Sequence, residues 1–235
     1  MAQKNNPHSE HRSRVRKRFL NEGLSGFEDH NILEFLLFYS IPQKDTNELA
    51  HQLIEKFGSL SGVFDADFNL LVNTDGIGEY TATLIKLIPQ LSRAYLMDKQ
   101  TRYPKFSDIQ KLGTYLTNYF IGAVNEKMIA AFLNNSAEII DIIPISEGVV
   151  NRTNISVRKI AESAFVRHAS FVVLAHNHPD GDSRPSEEDI TLTNNLIKLF
   201  DNLELPLIEH IVVGGSNYTG IITKESSGLK YKSFT

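Results

Sequence analysis

The sequence predicts an α/β protein in which a small all-α domain precedes a three-layer α/β domain. Residues 8 to about 97 show one helical pattern after another and little of the β-branched alternation typical of strands. From residue 107 onward, strand patterns alternate with helical ones, which is typical of a sheet covered by helices on both faces. A polar stretch with Pro104 separates the two parts. We therefore expect an all-α domain over 1–100, a linker over 101–106 and an α/β domain over 107–235.

Helix signals recur along the N-terminal part. Asp29 opens an apolar segment, DHNILEFLLFYSI. In DTNELAHQLIEKFG, we expect Asp45 to be the N-cap residue, Glu48 to complete a capping box, and Gly58 to end the helix. Further helical patterns follow in SLSGVFDA, DFNLLVNTDGIG and EYTATLIKLIPQLSRAYL.

The C-terminal elements are predicted in the order helix, hairpin, helix, strand, helix and two strands. An amphipathic helix begins at Ser107 or Asp108, and a tight turn joins the apolar runs KMIAAFLNN and AEIIDIIPISEGVV into a hairpin. A helix in SVRKIAESAFVRHA precedes a strand in SFVVLAHNH. The last helix, SEEDITLTNNLIKLFDNL, is followed by the strands LPLIEHIVVGG and NYTGIIT.

The composition limits the chemistry. The 235 residues are 41% hydrophobic, which suffices for one sizeable core or two smaller ones. Cysteine is absent, which excludes disulfides, thiolate nucleophiles and cysteine-based zinc sites, so any metal must be held by His, Asp or Glu. No apolar run is long enough to span a membrane, and the N-terminus lacks the hydrophobic core of a signal peptide. We therefore expect a cytoplasmic protein without a membrane partner.

A basic cluster lies near the N-terminus although the net charge of the chain is -4. Such a cluster binds phosphate locally whatever the total charge, and a solvated first helix is the alternative interpretation. Its members are Arg12, Arg14, Arg16, Lys17 and Arg18.

A candidate metal site follows the apolar run FVVLA. His176 and His178 share one face because side chains alternate along a strand, and Pro179 ends that strand. After a turn rich in Gly and Pro, Ser186 begins a helix whose first turn contains Asp189. Two imidazoles, one carboxylate and a water form the open tetrahedral zinc site of hydrolases, in which the pKa of the water falls to about 7.

The same residues also allow an interpretation without metal. Ser186 and Asp189 have the Ser-x-x-acid spacing of a capping box, which needs no ion. On this reasoning Asp189 acts either as the capping-box partner or as a metal ligand, but not as both. The complete pattern, in which His-x-His-Pro is followed after six residues by Ser-x-x-Asp, favours the metal site.

These residues resemble a known signature. His176, His178, Pro179, Ser186 and Asp189 match the motif of the JAMM (MPN-type) zinc metalloproteases. The wider strings VVLAHNHPDGDSRPSEEDITLT and IEHIVVGG resemble the RadC family, named for a suspected role in DNA repair, over most of residues 107–224. The resemblance implies a cytidine-deaminase-like, three-layer JAMM/MPN fold and a zinc metallopeptidase that cleaves peptide or isopeptide bonds.

The resemblance also implies roles for single residues. JAMM enzymes use an upstream glutamate as general base, and Glu126 before KMIAAFLNN fits that position, with Glu138 and Glu147 as rivals. The hydroxyl of Ser186 would bind the oxyanion of the tetrahedral intermediate, or else cap the helix. His210, in LIEHIVVGG, is either a satisfied core residue or a residue that orients a metal ligand.

A second resemblance lies in NTDGIGEYTATLIKLI, which is similar to the helix-hairpin-helix unit of DNA-binding proteins. There Gly76 and Gly78 would let backbone N–H groups reach a DNA phosphate, and a plain turn is the alternative. Asp75 and Glu79 flank the glycines and Lys86 alone follows, which weakens this interpretation.

Two functional hypotheses follow. The first is a zinc-dependent hydrolase of the JAMM type acting on a peptide or isopeptide substrate. The second is a DNA-binding accessory protein of repair or recombination whose metal site is structural or vestigial.

Overall fold

The computed structural model describes residues 7–42, 44–99, 106, 109–148 and 156–224. The chain forms two compact units, Met1–Leu91 and Ser92–Thr235. Apart from Phe106, the linker predicted over 101–106 lies outside the described residues. Among the helices described, none combines the length and the apolar character needed to cross a bilayer.

The N-terminal unit consists of helices, as its sequence patterns predict. Buried Leu and Ile side chains such as Leu33, Leu53 and Ile85 form its core. The helices are α1 (Pro7–Glu22), α2 (Asp29–Leu37), α3 (Asn47–Phe57), α4 (Leu60–Asp65), α5 (Phe68–Val72) and α6 (Glu79–Asp98), the last of which runs past the division between the units.

The capping box predicted for α3 is wrong. The N-cap residue is Thr46, not Asp45, and its side chain makes no capping bond. Its hydroxyl donates instead to the carbonyl oxygen of Glu34, 3.4 Å away, while Asp45 accepts from the N–H of Asn47 at 2.9 Å. Because the helix starts one residue later, Glu48 does not stand at the position that a capping box requires. Gly58 ends α3 at φ +84°, as predicted.

The C-terminal unit is a five-stranded sheet with helices on both faces. Its elements are α7 (Ile109–Tyr119), β1 (Lys127–Leu133), β2 (Ile139–Glu147), α8 (Val157–Val166), β3 (Phe171–His178), α9 (Glu187–Asp201), β4 (Leu207–Gly214) and β5 (Asn217–Gly220). The strand order is β2-β1-β3-β4-β5. Only β3 and β4 pair in parallel, because α9 carries the chain back between them. The predicted start of α7, at Ser107 or Asp108, lies outside the described residues.

Two apolar layers lie on opposite faces of the sheet, as the predicted three-layer α/β fold requires. Odd-numbered residues of β1 and β3 pack against α7, and even-numbered ones pack against α8 and α9. The layer with α7 includes Leu112, Leu116, Ile129, Ala131, Val173 and Ala175, and the opposite layer includes Ala130, Phe132, Ile160, Val172, Leu174, Leu192 and Phe200.

The sheet register determines where the candidate site lies. β1 and β3 are antiparallel, with Met128 opposite His176, so the start of β1 adjoins the end of β3. Extending that register by two positions places Glu126 opposite His178. The N-terminus of α9 follows the same end of β3 after the loop of residues 179–185. The fold thus gathers three segments that are distant in sequence at one edge of the sheet.

Candidate metal centre

His176, His178 and Asp189 lie together at the end of β3, and we call them the ligand cluster. The two Nε2 atoms are 3.1 Å apart. Asp189 Oδ1 is 3.2 Å from Nε2 of His176, and Asp189 Oδ2 is 3.5 Å from Nε2 of His178. His176 is fully buried and His178 is partly exposed, so the cluster is open toward solvent on the side of His178.

Asp189 forms the predicted capping box and also lies beside both histidines. Ser186 is the N-cap of α9 and forms the complete capping box with Asp189. Oδ2 of Asp189 accepts from the N–H of Ser186 at 2.8 Å and from its hydroxyl at 2.6 Å. Oδ1 remains directed at His176. A carboxylate has two oxygens with several lone pairs, and this site uses both.

In both histidines, Nδ1 carries a proton and donates a hydrogen bond. His178 Nδ1 lies 2.8 Å from the carbonyl oxygen of Asp182, which can only accept. His176 Nδ1 lies 2.9 Å from Nε2 of His210, whose Nδ1 lies 2.6 Å from the hydroxyl of Thr193. That hydroxyl gives its only proton to the carbonyl oxygen of Asp189 at 2.6 Å. Its oxygen must therefore accept from His210, and His210 must accept from His176.

This chain of hydrogen bonds assigns the tautomers. Burial, and after it the charge of His176, lowers the pKa of His210 well below its ordinary value, so His210 is neutral and can accept at Nε2. With both Nδ1 atoms protonated, the two Nε2 lone pairs face each other at 3.1 Å. Such an arrangement requires a cation between them, either a proton or a metal ion.

The charges around the cluster favour that cation. Burial opposes the ionisation of Asp189, but the interactions with His176 and His178, whose Nε2 atoms lie 3.2 and 3.5 Å from its oxygens, outweigh it and hold the pKa of the carboxyl far below its usual range. The hydrogen bond to Asp189 also raises the pKa of His178, against the opposing effect of burial. Because this pKa is raised, a proton competes with a metal ion for His178, and metal binding becomes weaker as the pH falls.

Glu126 is the upstream glutamate that the structure brings to this site. One carboxylate oxygen of Glu126 and one ring nitrogen of each of His176 and His178 lie within 4.8 Å of one another, a group that could hold a metal ion. Neither rival glutamate belongs to this group. Glu147 forms an ion pair with Lys127 at 2.9 Å, and Glu138 lies at the hairpin turn, at the opposite end of β1.

Comparison with known proteins shows the family of the chain. The family model of the RadC-like JAB domain matches residues 106–227. The chain belongs to the RadC family. UPF0758 protein FN0909 of Fusobacterium nucleatum is 37% identical over 227 residues, covering 93% of this chain and 96% of its own length. UPF0758 protein SPO0054 of Ruegeria pomeroyi is 30% identical over 211 residues, covering 88% and 92% of the two chains.

The basic cluster of this RadC family member divides into two sets. Arg12 donates to the carbonyl oxygens of Phe38, Ile41 and Lys44, and Arg18 donates to that of Gly26, so both guanidinium groups hold loops of the N-terminal unit. The other members, Arg14, Arg16 and Lys17, are exposed.

In the hairpin between α5 and α6, Gly76 and Gly78 are exposed. Gly76 adopts φ +82° and packs on Leu49, which explains the residue as a turn glycine. Lys86 donates to the carbonyl oxygens of Phe64 and Ala66. The ammonium group of Lys86 is thus already bound to carbonyl oxygens within the N-terminal unit.

The sequence left the role of His210 open between a satisfied core residue and a residue that orients a metal ligand, and the structure shows it buried and in contact with the candidate ligand His176. It is fully buried and holds the Nδ1 side of His176. Thr193, which completes the chain, was missed. The available signal was its position four residues after Asp189, which places the two on the same face of α9.

Replacing Thr193 with valine is expected to weaken divalent-metal binding by about 10–100-fold. Valine has nearly the same shape but leaves Nδ1–H of the buried His210 without its acceptor, so the tautomer of His176 is no longer fixed. Competition with a chelator measures the affinity. Thr117→Val is the matched control, because Thr117 makes the same bond to a helix carbonyl, of Gly113, on the opposite face of the sheet. An unchanged affinity in Thr193→Val would contradict the tautomer assignment.

Proposed function

We propose that this protein is a zinc-dependent hydrolase of the JAMM type that cleaves a peptide or isopeptide bond. One observation carries the proposal. The two imidazole Nε2 atoms face each other at 3.1 Å, beside a carboxylate, while both Nδ1 atoms are committed as donors. Membership in the RadC family, whose matched domain is of the JAB type, supports the same chemistry.

The ligand cluster suits zinc. Ligands at 2.0–2.1 Å from a tetrahedral ion are separated from one another by about 3.3–3.4 Å. The Nε2–Nε2 distance of 3.1 Å and the distance of 3.2 Å from Nε2 of His176 to Oδ1 of Asp189 lie near that value. Neutral imidazoles and one carboxylate are common zinc donors, and three protein ligands leave a position for water. When bound, zinc supplies Lewis acidity that lowers the pKa of that water to about 7.

The remaining residues have separate tasks in the proposed reaction. Glu126 accepts the proton of the water that attacks the scissile carbonyl and then delivers it to the leaving amine. The hydroxyl of Ser186 is our candidate donor to the oxyanion. In the structure this hydroxyl donates to Oδ2 of Asp189 at 2.6 Å, so the role requires that it turn from Asp189 to the substrate.

The test combines metal analysis with an activity panel on the full chain. We expect one zinc ion per purified chain and hydrolysis of at least one member of a panel of fluorogenic peptides and isopeptides. His178→Ala should lose both, whereas His51→Ala, which removes an exposed histidine of the N-terminal unit, should keep both. A protein without stoichiometric zinc, or a His178→Ala variant with undiminished zinc, would refute the site.

Binding of DNA through the N-terminal unit is the second candidate, in which the metal site is structural or vestigial. The exposed Gly76 and Gly78 and the exposed Arg14, Arg16 and Lys17 favour it. Binding to phosphates releases counterions, so the affinity should fall steeply with salt. We expect the triple variant Arg14→Glu, Arg16→Glu, Lys17→Glu to lose DNA binding measured by fluorescence anisotropy. Binding that ignores salt would exclude this candidate.

A further inference from the structure

We propose that Asn177 is a positioning residue that holds Glu126 in place relative to the metal ligands; this inference rests on the proposed function. Asn177 lies on β3 between His176 and His178, and it is 4% exposed. Because side chains alternate along a strand, it faces away from the ligand cluster. A buried polar side chain on that face needs partners, and the structure shows which ones it has.

The partners of Asn177 surround Glu126 in the sequence. Its Oδ1 accepts from the N–H of Lys127 at 2.8 Å. Its Nδ2 donates to the carbonyl oxygens of Asn125 at 3.2 Å and Ala123 at 3.3 Å. One amide therefore binds the backbone on both sides of the proposed base.

The segment of residues 123–126 has no regular structure, so its backbone groups depend on such contacts. An asparagine amide offers two donors and one acceptor, which match the two carbonyls and the one N–H. The carbonyl oxygen of Glu126 itself accepts from the N–H of Gly148 at 2.9 Å. Asn177 thus connects the base-bearing segment directly to the strand that carries both histidines.

This connection has a catalytic consequence. A displacement of about 1 Å between a base and the reacting atoms costs about 100-fold in rate. Since Asn177 shares its backbone with His176 and His178, any movement of the ligands carries the segment of Glu126 with them. In the proposed site, His176 and His178 thus position the metal ion, and Asn177 between them positions the base.

The first test uses two variants. Asn177→Leu keeps the approximate size of the side chain but removes all three hydrogen bonds. Asn177→Asp keeps the acceptor for the N–H of Lys127 but places a carboxylate oxygen against the two carbonyl oxygens. We expect both variants to keep one zinc per chain and to lose about 100-fold or more in kcat, with KM changed far less. In the Glu126→Gln background, Asn177→Leu should cause no further loss. A loss of the same size in both backgrounds would overturn the proposal, because it would show an effect that does not pass through Glu126.

The second test does not depend on activity. In Asn177→Leu, we expect amide hydrogen exchange of residues 123–127 to accelerate at least tenfold while exchange in residues 171–175 and the zinc content stay unchanged. Asn134→Leu is the matched control, since Asn134 binds the N–H groups of Ser136 and Glu138 at the other end of β1. That variant should alter exchange only at the hairpin turn.

The two tests separate the failure of this inference from that of the proposed function. A wild-type protein that binds zinc and hydrolyses nothing refutes the proposed function, and exchange then still decides whether Asn177 holds the segment. Unchanged exchange of residues 123–127 in Asn177→Leu overturns the inference whether or not hydrolysis is found.

Discussion

Replacing Glu126 with glutamine is expected to reduce kcat/KM by about 10²–10⁴-fold or more while one zinc ion per chain is retained. Glutamine has the size of glutamate but cannot take a proton from the attacking water. Zinc is expected to stay because, in the proposed site, His176, His178 and Asp189 hold it without Glu126. Zinc content by atomic emission and hydrolysis of a fluorogenic substrate measure the two effects on one sample.

The control for this variant is Glu147→Gln. Glu147 lies in the neighbouring strand β2 and pairs with Lys127 at 2.9 Å, so its loss removes a carboxylate from the same region without touching the ligand cluster. It should retain nearly all activity. If Glu126→Gln loses its zinc, Glu126 is a ligand and not the base; if it keeps its activity, the base is another group.

The parts of the site that the sequence predicted depend on local periodicity. A strand places residues two apart on one face, which predicted that His176 and His178 act together. A Ser-x-x-Asp spacing predicted the start of α9 at Ser186. The placement of Glu126 came from the family resemblance, and the register of β1 against β3 now supplies its physical reason.

The parts that the sequence did not predict depend on tertiary contacts or on single atoms. Nothing local indicates that the hydroxyl of Thr46 donates to Glu34, or that Arg12 donates to carbonyls up to 32 residues away. Nor does the sequence indicate that the two oxygens of Asp189 separate their contacts, with Oδ2 bound to Ser186 and Oδ1 directed at His176. The alternation of side chains along β3 places Asn177 on the face opposite to His176 and His178, but its partners lie 50 to 54 residues earlier in the chain.

The strand β3 therefore serves the site with both of its faces. On one face the Nε2 atoms of His176 and His178 lie 3.1 Å apart, and on the other Asn177 binds the backbone beside Glu126. The loop after β3 supplies the carbonyl of Asp182 that fixes the tautomer of His178. The position of that loop is itself fixed by close contact with Gly214 of the neighbouring strand β4, which lies opposite His178 in the sheet register.

Replacing Gly214 with alanine is expected to destabilise the C-terminal unit and to weaken zinc binding together. A Cβ atom at Gly214 would lie within 3.0 Å of backbone atoms of Gly181, Asp182 and Ser183. Backbone atoms cannot turn aside as a flexible side chain can, so the loop must move as a whole. Overpacking of this kind costs about 1–3 kcal/mol in the free energy of unfolding, occasionally more. The shift also removes the carbonyl of Asp182 from Nδ1 of His178, now 2.8 Å away.

Denaturant unfolding and chelator competition measure the two effects of Gly214→Ala. Gly78→Ala is the control, since a Cβ there meets no atom within 4 Å and its φ is not in the left-handed region. That variant should be as stable as the wild type or slightly more so, because alanine restricts the unfolded chain. If Gly214→Ala loses stability but binds zinc with wild-type affinity, His178 does not depend on the loop for its orientation. If Gly214→Ala loses neither stability nor zinc affinity, the loop does not pack closely on β4.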